Sequence, residues 1–384
     1  MIINDKRALA HVQVVTDIRP IAGADNIELI QVLGWFCIAK IGEFHVGDKA
    51  VYIEIDSKVP ASDERFAFLE RKGYKVKTYK LNKFGVVSQG LALPLIDFPE
   101  LGDAEVGTDV TEALKIVYAV AEDNKRKAEV NPLTVLKQRK AALFKKPFIK
   151  WLMKYRWGRK VILLIWGRKS DSKTAFPTHL CSKTDEERIE NVPMFLGTGP
   201  YSATEKLDGS SATYAMERKG HKYEFYVCSR NVRQLNADQG CFYDDNIYWE
   251  QAIKYNIEAK LKAFLNTNKN VKSVVLQGEI VGPGVQKKTY GLTERDLFMF
   301  NMVVDGTSVD NMMLGTFCAA NDLQHVPMLG VMQKLPETME EMKALAEGLS
   351  CIGNELREGV VYRGVDGAKG FKNVALSYLL EKHN

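Results

Sequence analysis

The amino-acid sequence predicts an α+β fold in which a small β-barrel comes first and a larger domain of sheets and helices follows. Residues 11–110 contain short strand-like segments separated by glycine, whereas buried strands alternate with helices from residue 176 onward. A basic stretch of different composition separates the two regions. A chain of 384 residues is long enough for two domains, each with its own core. We therefore expect a barrel domain at 1–110, a basic and partly helical linker at 111–175, and a second domain at 176–384.

The barrel is predicted from a series of short strands with little helix among them. Within residues 49–55, Val51, Ile53 and Ile55 fall on one face, as the period of two in a half-buried strand requires. Strands at this spacing are typical of a generic sandwich or a small barrel, and a five-stranded OB barrel is the sharper interpretation. Barrels of that type bind nucleic acids, proteins or sugars. The predicted strands are 11–15, 27–34, 35–41, 49–55, 74–81 and 90–95, with one helix at 62–72.

The linker contains a basic stretch, residues 137–169, that has no acidic residue. Aromatic and apolar side chains recur in it at helical spacing, so one interpretation is an amphipathic helix packed on a neighbouring domain with solvated cations. The other is a nucleic-acid contact, because clustered cations attract a polyanion by counterion release. A helix on a membrane surface ranks last. The candidate phosphate-binding residues are Lys145, Lys146, Lys150 and Lys154.

The second domain is predicted from buried apolar segments that alternate with helical ones. The predicted helices are 246–264 and 337–348, and the predicted strands are 271–280, 297–304, 359–363 and 370–376.

Cysteine usage and the N-terminal sequence give no sign of secretion. The six cysteines are scattered and form no C-x-x-C pair, so neither a zinc site nor a disulfide framework is indicated. Residues 1–7 lack a signal-peptide pattern, and the longest apolar run, 161–166, is too short to span a membrane. We expect a cytoplasmic protein in a reducing compartment.

The candidate nucleophile is Lys206, in the sequence E-K-L-D-G-S-S at 205–211. Gly209 interrupts two extended segments here, so the lysine is expected beside a turn and directed into a cleft. A free lysine titrates near pH ~10.4 and is a poor nucleophile at neutral pH. We therefore expect burial or nearby cations to lower the pKa of Lys206. A hairpin with an ordinary lysine is the alternative that the tetrapeptide K-L-D-G alone leaves open.

Further motifs follow in a fixed order. Val227 to Asn231 places Arg230 at a strand end, and G-E-I-V-G-P-G-V-Q-K-K at 278–288 contains Glu279. Phe300 lies on the next strand, Glu358 precedes G-V-V-Y-R, and Lys372 lies near the C-terminus. Together with Lys206 they resemble the nucleotidyltransferase motifs I, Ia, III, IIIa, IV and V of ATP-dependent ligases.

Two segments narrow the resemblance to nick-sealing RNA ligases that carry an N-terminal OB domain. One is the G-E-x-x-G-P-G-x-Q-K run, and the other is K-T-D-E-E-R-I-E-N at 183–191. The segments 19–25, 34–35, 47–48, 55–57 and 88–91 resemble the OB domain of that subgroup. The resemblance implies a C-terminal adenylyltransferase domain, similar to an ATP-grasp ligase, made of antiparallel sheets flanked by helices.

The same resemblance implies the catalytic chemistry. Lys206 would attack the α-phosphorus of ATP and form a covalent lysyl-AMP. Lys372 would neutralise the α-phosphate as charge develops on it. Asp208 would fix the turn and a metal-bound water, with Mg²⁺ or Mn²⁺ as the divalent ion. AMP would then pass to a 5′-phosphate end before a 3′-OH end attacks.

The remaining site residues are implied to bind the nucleotide and the metal. Glu205 and Phe300 would hold adenine, the latter by stacking, and Arg230 and Glu279 would contact the sugar and phosphate region. Glu358 would help to bind the divalent ion, because carboxylate oxygens suit Mg²⁺. Glu279 and Glu358 lie at the ends of apolar strands, where a carboxylate costs free energy unless it binds a ligand. The alternative is that the two side chains only contribute to solubility.

Two departures from the family pattern bear on these expectations. Gly370 occupies the place of the first motif V lysine, and Lys369 is shifted by one position. Lys372 is therefore the one residue that we assign to a motif V lysine. The chain ends at Asn384, so we expect no C-terminal domain and expect the barrel to serve the nucleic acid.

The main hypothesis is an ATP-dependent RNA ligase that acts on nicked or broken RNA, or on an RNA-containing duplex. The partner is expected to carry RNA on the 3′-OH side, and the enzyme to be a monomer that binds no membrane. The alternatives are an ATP-dependent DNA ligase and a non-catalytic, nucleic-acid-binding ligase homologue.

Overall fold

The computed structural model of the protein describes residues 1–3, 6–119, 146–153, 155, 161–162, 175–183, 185–234, 246–365 and 370–383. The strands of the N-terminal part are β1 (Ile2–Ile3), β2 (Lys6–Arg7), β3 (Ala10–Pro20), β4 (Ile27–Val32), β5 (Trp35–Lys40), β6 (Lys49–Ile53), β7 (Ser57–Lys58), β8 (Lys75–Val76), β9 (Thr78–Leu81), β10 (Val86–Gln89), β11 (Leu91–Pro94) and β12 (Val117–Tyr118). The later strands are β13 (Glu187–Arg188), β14 (Tyr201–Lys206), β15 (Ser210–Lys219), β16 (Lys222–Ser229), β17 (Ser273–Val281), β18 (Asp296–Val304), β19 (Thr307–Ser308), β20 (Gln324–His325), β21 (Met328–Met332), β22 (Gly359–Gly364) and β23 (Phe371–Val374).

The described helices are short. The α-helices are α1 (Pro147–Leu152), α2 (Ile247–Lys254), α3 (Ile257–Thr267), α4 (Asn311–Ala320), α5 (Met339–Ala344) and α6 (Leu376–His383). The 3₁₀ helices are Glu64–Lys72, Leu95–Asp97, Pro99–Leu101, Ile189–Asn191 and Pro193–Phe195. No helix in the described part of the chain is long and apolar enough to cross a membrane.

The predicted barrel is a five-stranded antiparallel sheet in the order β11-β6-β3-β4-β5. The long strand β3 pairs with β6 through its first half and with β4 through its second, and the register shifts between Val15 and Asp17. This bend lets one strand serve both sides of the barrel. Trp35 and Tyr52 fill the interior, with their rings 6.0 Å apart.

The second part is built from two sheets that are mostly antiparallel. One has the order β13-β23-β22-β14-β21 and the other β16-β15-β17-β18-β19, with β20 added beside β18. Two pairings, β13 with β23 and β18 with β20, are parallel. Helices α2 and α3 pack on the second sheet through Ala252, Ile257 and Leu261. The expected arrangement of antiparallel sheets flanked by helices is therefore present.

Three elements differ from the sequence-based prediction. The helix expected at 246–264 is broken in two, because Asn256 adopts a left-handed conformation with φ 48°. The helix expected at 337–348 is limited to α5. The last strand ends at Val374, and α6 follows it.

Helix α6 connects the two parts of the molecule. Its Tyr378 and Leu379 are buried in the same apolar cluster as Trp35 and Tyr52 of the barrel. The barrel is therefore packed directly against the C-terminal segment that follows Lys372.

Candidate active site

The turn 206–209 connects the two sheets of the second part. Lys206 is the last residue of β14 in one sheet, and Ser210 begins β15 in the other. A Cβ atom on Gly209 would lie 2.2 Å from the carbonyl oxygen of Ile280, so only glycine allows the turn to pass this close to β17. The turn is thus a crossover between sheets, and it places Lys206 at the base of the cleft between them.

A cleft of about 980 Å³ surrounds this turn. It brings together all eight residues that the sequence singled out around Lys206, although they are spread over more than 160 positions of the chain. These cleft residues are Glu205, Lys206, Asp208, Arg230, Glu279, Phe300, Glu358 and Lys372.

Lys206 is paired with a carboxylate in this cleft. Its Nζ donates a hydrogen bond to Oε2 of Glu358 at 2.8 Å, and the two side chains are 25% and 14% exposed. Burial lowers the pKa of Lys206, but Glu358, Glu279 and Asp208 together outweigh burial and raise it above its ordinary value. The prediction of a lowered pKa is therefore wrong for the described structure, because the groups nearest the amine are anions.

The carboxylates also repel one another. The pKa of Glu279 is raised from 4.5 to about 8, chiefly by burial; Lys206 opposes the rise, and Glu358 and Asp208 add to it. Such crowding favours a cation beside these oxygens. Within the described part of the chain, however, no three His, Cys, Asp or Glu side chains are grouped so as to hold a metal ion by themselves. The oxygens fit a hard divalent ion that takes further ligands from phosphate or water, as Mg²⁺ commonly does.

Glu205 has one oxygen engaged and one without a partner. Its side chain is buried, and Oε2 accepts a hydrogen bond from the backbone N–H of Cys351 at 2.8 Å. Oε1 is buried and has no partner among the described residues. Phe300 also lines the cleft, and the Arg363 guanidinium lies 5.8 Å from its ring centre. The cleft therefore contains an aromatic ring and a carboxylate oxygen that could accept a hydrogen bond.

Asp185 is a cleft residue whose role the sequence reasoning missed. Its two carboxylate oxygens accept hydrogen bonds from Lys372 Nζ and Arg230 Nη2, both at 2.9 Å. Burial raises the pKa of Asp185, but Lys372 and Arg230 hold it down, at about 2. Burial lowers the pKa of Lys372, although Asp185 opposes this. The signal in the sequence is the K-T-D-E-E-R segment, which resembles a motif of the ligase subgroup but does not indicate which side chains Asp185 contacts.

The residues after Asp185 join the barrel to the second part. Asn191 accepts a hydrogen bond from Trp35 Nε1 at 2.6 Å and donates one to Glu54 at 2.7 Å. Arg188 is 6% exposed, and two of its guanidinium nitrogens, Nε and Nη1, have no partner among the described residues. Both Arg188 and Arg7 line the cleft. Each arginine has a carboxylate nearby: Arg7 Nη2 lies 3.2 Å from Glu54, and Arg188 Nη2 lies 3.9 Å from Asp56.

The loop after β17 contacts the turn 206–209, which we call the nucleophile turn. The sequence did not predict this contact. The Tyr290 hydroxyl accepts a hydrogen bond from the Asp208 N–H at 2.6 Å. Gln286 Nε2 donates to the Gly209 carbonyl oxygen at 3.3 Å. Both residues come from the G-P-G-V-Q-K-K-T-Y segment.

The basic stretch is described only in part. Lys145 and Lys154 lie outside the described residues, as does the Lys150 side chain, whereas Lys146 is exposed. Helix α1 buries Ile149 and Leu152, in agreement with the amphipathic interpretation. Phe148 and Trp151 of α1, and Tyr155 beyond its end, are exposed aromatic residues whose neighbouring ring centres are 6.0 and 5.3 Å apart.

Comparisons with known proteins agree with the arrangement of the chain. The family model described as an OB-fold domain matches residues 9–95, and the one described as RNA ligase matches residues 199–375. Among curated proteins, none matches the sequence.

Solved structures of an RNA ligase from Naegleria gruberi match along the whole chain. A lysine-to-methionine variant of that ligase with AMP and Mn has a TM-score of 0.75 and 30% identity, over 98% of this chain and 100% of that chain. The same ligase with PPi gives a TM-score of 0.74 and 30% identity, over 98% and 99% of the two chains. A lysine-to-alanine variant with ATP and Mn gives 0.75 and 29%, over 98% and 100%. The chain has an OB-fold barrel, the ligase motifs in one cleft and full-length similarity to a solved RNA ligase. The chain therefore belongs to the RNA ligase family.

Proposed function

We propose that this chain is an ATP-dependent RNA ligase that joins 3′-OH and 5′-phosphate ends at duplex nicks through a lysyl-AMP intermediate. The observation that carries the proposal is the convergence of the eight cleft residues around Lys206. The proposal names ATP as the nucleotide because structures of the similar Naegleria ligase contain ATP or AMP.

In the first step, the Lys206 amine attacks the α-phosphorus of ATP. The new bond is N–P, the bond to the β-phosphate breaks, and pyrophosphate leaves. The Nζ must lose a proton for this, and Glu358, at 2.8 Å, is the nearest base. In the second step AMP is transferred to a 5′-phosphate, and in the third the 3′-OH attacks that phosphate and releases AMP.

A divalent cation fits the carboxylate face of the cleft. Glu358 and Asp208 would hold it, and Glu279, whose pKa of about 8 reflects burial and negative neighbours, would become ionised beside it. When bound, the ion supplies charge neutralisation at the α-phosphate and favours the free amine of Lys206. The similar ligase was solved with Mn.

The adenine is proposed to lie between Phe300 and Glu205. Phe300 offers a ring face for stacking, and the unpartnered Oε1 of Glu205 offers an acceptor for the exocyclic amine. A buried carboxylate oxygen without a donor is costly, so an amino group at this position offsets the cost.

The phosphates are proposed to lie along the cationic side of the cleft. Lys372 and Arg230, now held by Asp185, would turn to the α-phosphate and to the sugar and phosphate region. Arg188 and Arg7 line the same cleft and add positive charge to it. Asp185 thus keeps two cations in place before the anionic ligand arrives.

The RNA is proposed to contact the basic stretch as well as the barrel. Exposed Phe148 and Trp151 on α1 provide ring faces for bases, and the neighbouring lysines provide charge for phosphates. We propose the division 1–110, 111–175 and 176–384 for barrel, linker and nucleotidyltransferase domain, with packing of the barrel extending to Tyr118.

The experiment compares sealing of matched nicks. RNA and DNA differ at a fixed site by the 2′-OH, and a site built to pair with that hydroxyl rejects its absence strongly. A nick with a ribonucleotide 3′-OH end should be sealed much faster than an all-DNA nick, with ATP and Mg²⁺ present. Equal rates would favour a DNA ligase, and no AMP adduct and no sealing would favour a non-catalytic homologue.

A further inference from the structure

The turn at residues 206–209, which carries the nucleophile, is held by side chains of the loop after β17 as well as by its neighbouring strands. The Asp208 N–H is bonded to the Tyr290 hydroxyl at 2.6 Å, and the Gly209 carbonyl accepts from Gln286 at 3.3 Å. Gly209 is also in tight contact with the Ile280 carbonyl, where a Cβ would lie at 2.2 Å. The backbone that carries Lys206 is therefore contacted at three separate points.

Tyr290 is itself rigidly placed. Its backbone adopts φ 55°, in the left-handed region that bulky residues rarely occupy. The Tyr290 N–H donates to Glu355 Oε1 at 3.1 Å, and a Cβ on Gly353 would lie 2.4 Å from the Tyr290 carbonyl oxygen. Strained backbone of this kind persists only where the surroundings fix it, and it is concentrated at functional sites.

The Tyr290 hydroxyl is buried in apolar surroundings. The side chain is 1% exposed and packs in a cluster with Leu207, Phe298 and Val326. A buried hydroxyl in such a place is costly unless it is used, and phenylalanine would fill the same volume. The contact it makes in the described structure is the one to the Asp208 amide.

The loop that carries Tyr290 is anchored on its other side by Lys288. Its Nζ donates to the Leu356 carbonyl at 2.7 Å and to Glu381 of α6 at 3.2 Å, and it lies 5.2 Å from the Tyr378 ring. Lys288 is buried, so these contacts replace its hydration. The loop therefore contacts α6 and residues 353–356 on one side and the turn on the other.

We propose that Tyr290 is a positioning residue for the nucleophile: by holding the Asp208 amide, its hydroxyl keeps Lys206 aligned for attack on the α-phosphorus. The proposal rests on the proposed function, and it gives the G-P-G-V-Q-K-K-T-Y segment a physical role. Tyr290 lies behind the turn and not beside the nucleotide. Its effect on the alignment of Lys206 should therefore change the rate of the chemical step and not the binding of ATP. The step that uses Lys206 should therefore depend on Tyr290 more strongly than the final sealing step, which does not use the lysine.

The test measures single-turnover formation of the lysyl-AMP adduct with full-length Tyr290→Phe. The maximal rate should fall about tenfold, because without the Tyr290–Asp208 hydrogen bond Lys206 is less well aligned for attack, while the ATP concentration for half-maximal rate changes less than about twofold. Sealing of a pre-adenylylated RNA nick should stay within about twofold of wild type. Tyr52→Phe is the matched control, because Tyr52 is equally buried and donates to the Gln89 carbonyl at 3.2 Å in the barrel.

Three outcomes would overturn the proposal: an unchanged adduct rate in Tyr290→Phe, equal losses in adduct formation and in sealing of the pre-adenylylated nick, or an equal adduct loss in Tyr52→Phe. If Tyr290→Phe does not fold, Gln286→Ala replaces it, because Gln286 is exposed and holds the next residue of the turn. That variant should lower the adduct rate about threefold, and an unchanged rate would overturn the proposal. A wild-type protein that forms no adduct at all would instead contradict the proposed function.

Discussion

Replacing Glu358 with glutamine should make Lys206 a stronger free nucleophile and yet a poorer catalyst. Glu358 lies 2.8 Å from the Lys206 amine and is its closest anion. Glutamine keeps the size of the side chain but removes the charge that favours the ammonium. In the ligand-free enzyme the pKa of Lys206 should therefore fall, whereas the cation and the phosphates lose a carboxylate that the proposed mechanism needs.

The size of the effect follows from the distance and the exposure. At 2.8 Å, Coulomb's law gives about 1.5 kcal/mol in bulk water and about 6 kcal/mol at an effective dielectric constant of about 20. The side chains are 25% and 14% exposed, so solvent screens the pair in part and the lower half of this range applies. The free-amine fraction at a fixed pH below the pKa should rise by a factor of about ten to several hundred.

The assay is competitive labelling of ligand-free protein with a small neutral acylating reagent, with the modification of Lys206 quantified by mass spectrometry across pH. Glu358→Gln should label faster at neutral pH, with its titration shifted to lower pH, while formation of lysyl-AMP from ATP falls. Glu337→Gln is the control, because it removes an exposed carboxylate paired with Lys334. Unchanged or slower labelling of Lys206 in Glu358→Gln would refute the electrostatic reasoning.

Three further predictions follow from the cleft and from α1. The pKa of Glu279 is 4.5 when unperturbed and about 8 in the fold, so folding takes up a proton on Glu279 between these values and the contribution of this group to stability falls as pH rises through this window; thermal melting should therefore show wild type losing stability relative to Glu279→Gln between these two pH values. Lys372→Ala should slow both self-adenylylation and sealing of a pre-adenylylated nick, because the same phosphorus is attacked each time, and unchanged self-labelling would remove Lys372 from the site. In binding to nicked duplex, Lys146→Ala should reduce the log–log salt slope by about one, whereas Trp151→Ala should weaken binding with the slope unchanged; an unaltered affinity in both variants would leave α1 as a packing element.

The sequence predicted the barrel and the eight cleft residues because both depend on local signals. In strands such as β6, the alternation of side chains between two faces indicates which face is buried. The motifs are contiguous runs around Lys206, Glu279 and Glu358. Membership of the RNA ligase family is confirmed by the comparisons. The roles of the individual cleft residues remain predictions.

What the sequence could not supply are contacts between distant segments. The raised pKa of Lys206 depends on Glu358, 152 positions away, and no local pattern encodes that distance. Asp185 was visible as part of a motif, but its contacts with Lys372 and Arg230 require the folded sheet. Helix α6 was missed because the apolar run that ends β23 continues into it, and its partner surface is the barrel.

The central claim is that Lys206 carries AMP as an intermediate in joining RNA ends. The most direct measurement incubates the full chain with Mg²⁺ and ATP labelled in the α-phosphate, maps the labelled peptide, and chases the adduct into ligated RNA. The account predicts an acid-labile adduct on Lys206 that disappears when nicked RNA is added, and its absence from Lys206→Ala, which should still seal a pre-adenylylated nick. An adduct on another residue, or one that persists in Lys206→Ala, would contradict the account.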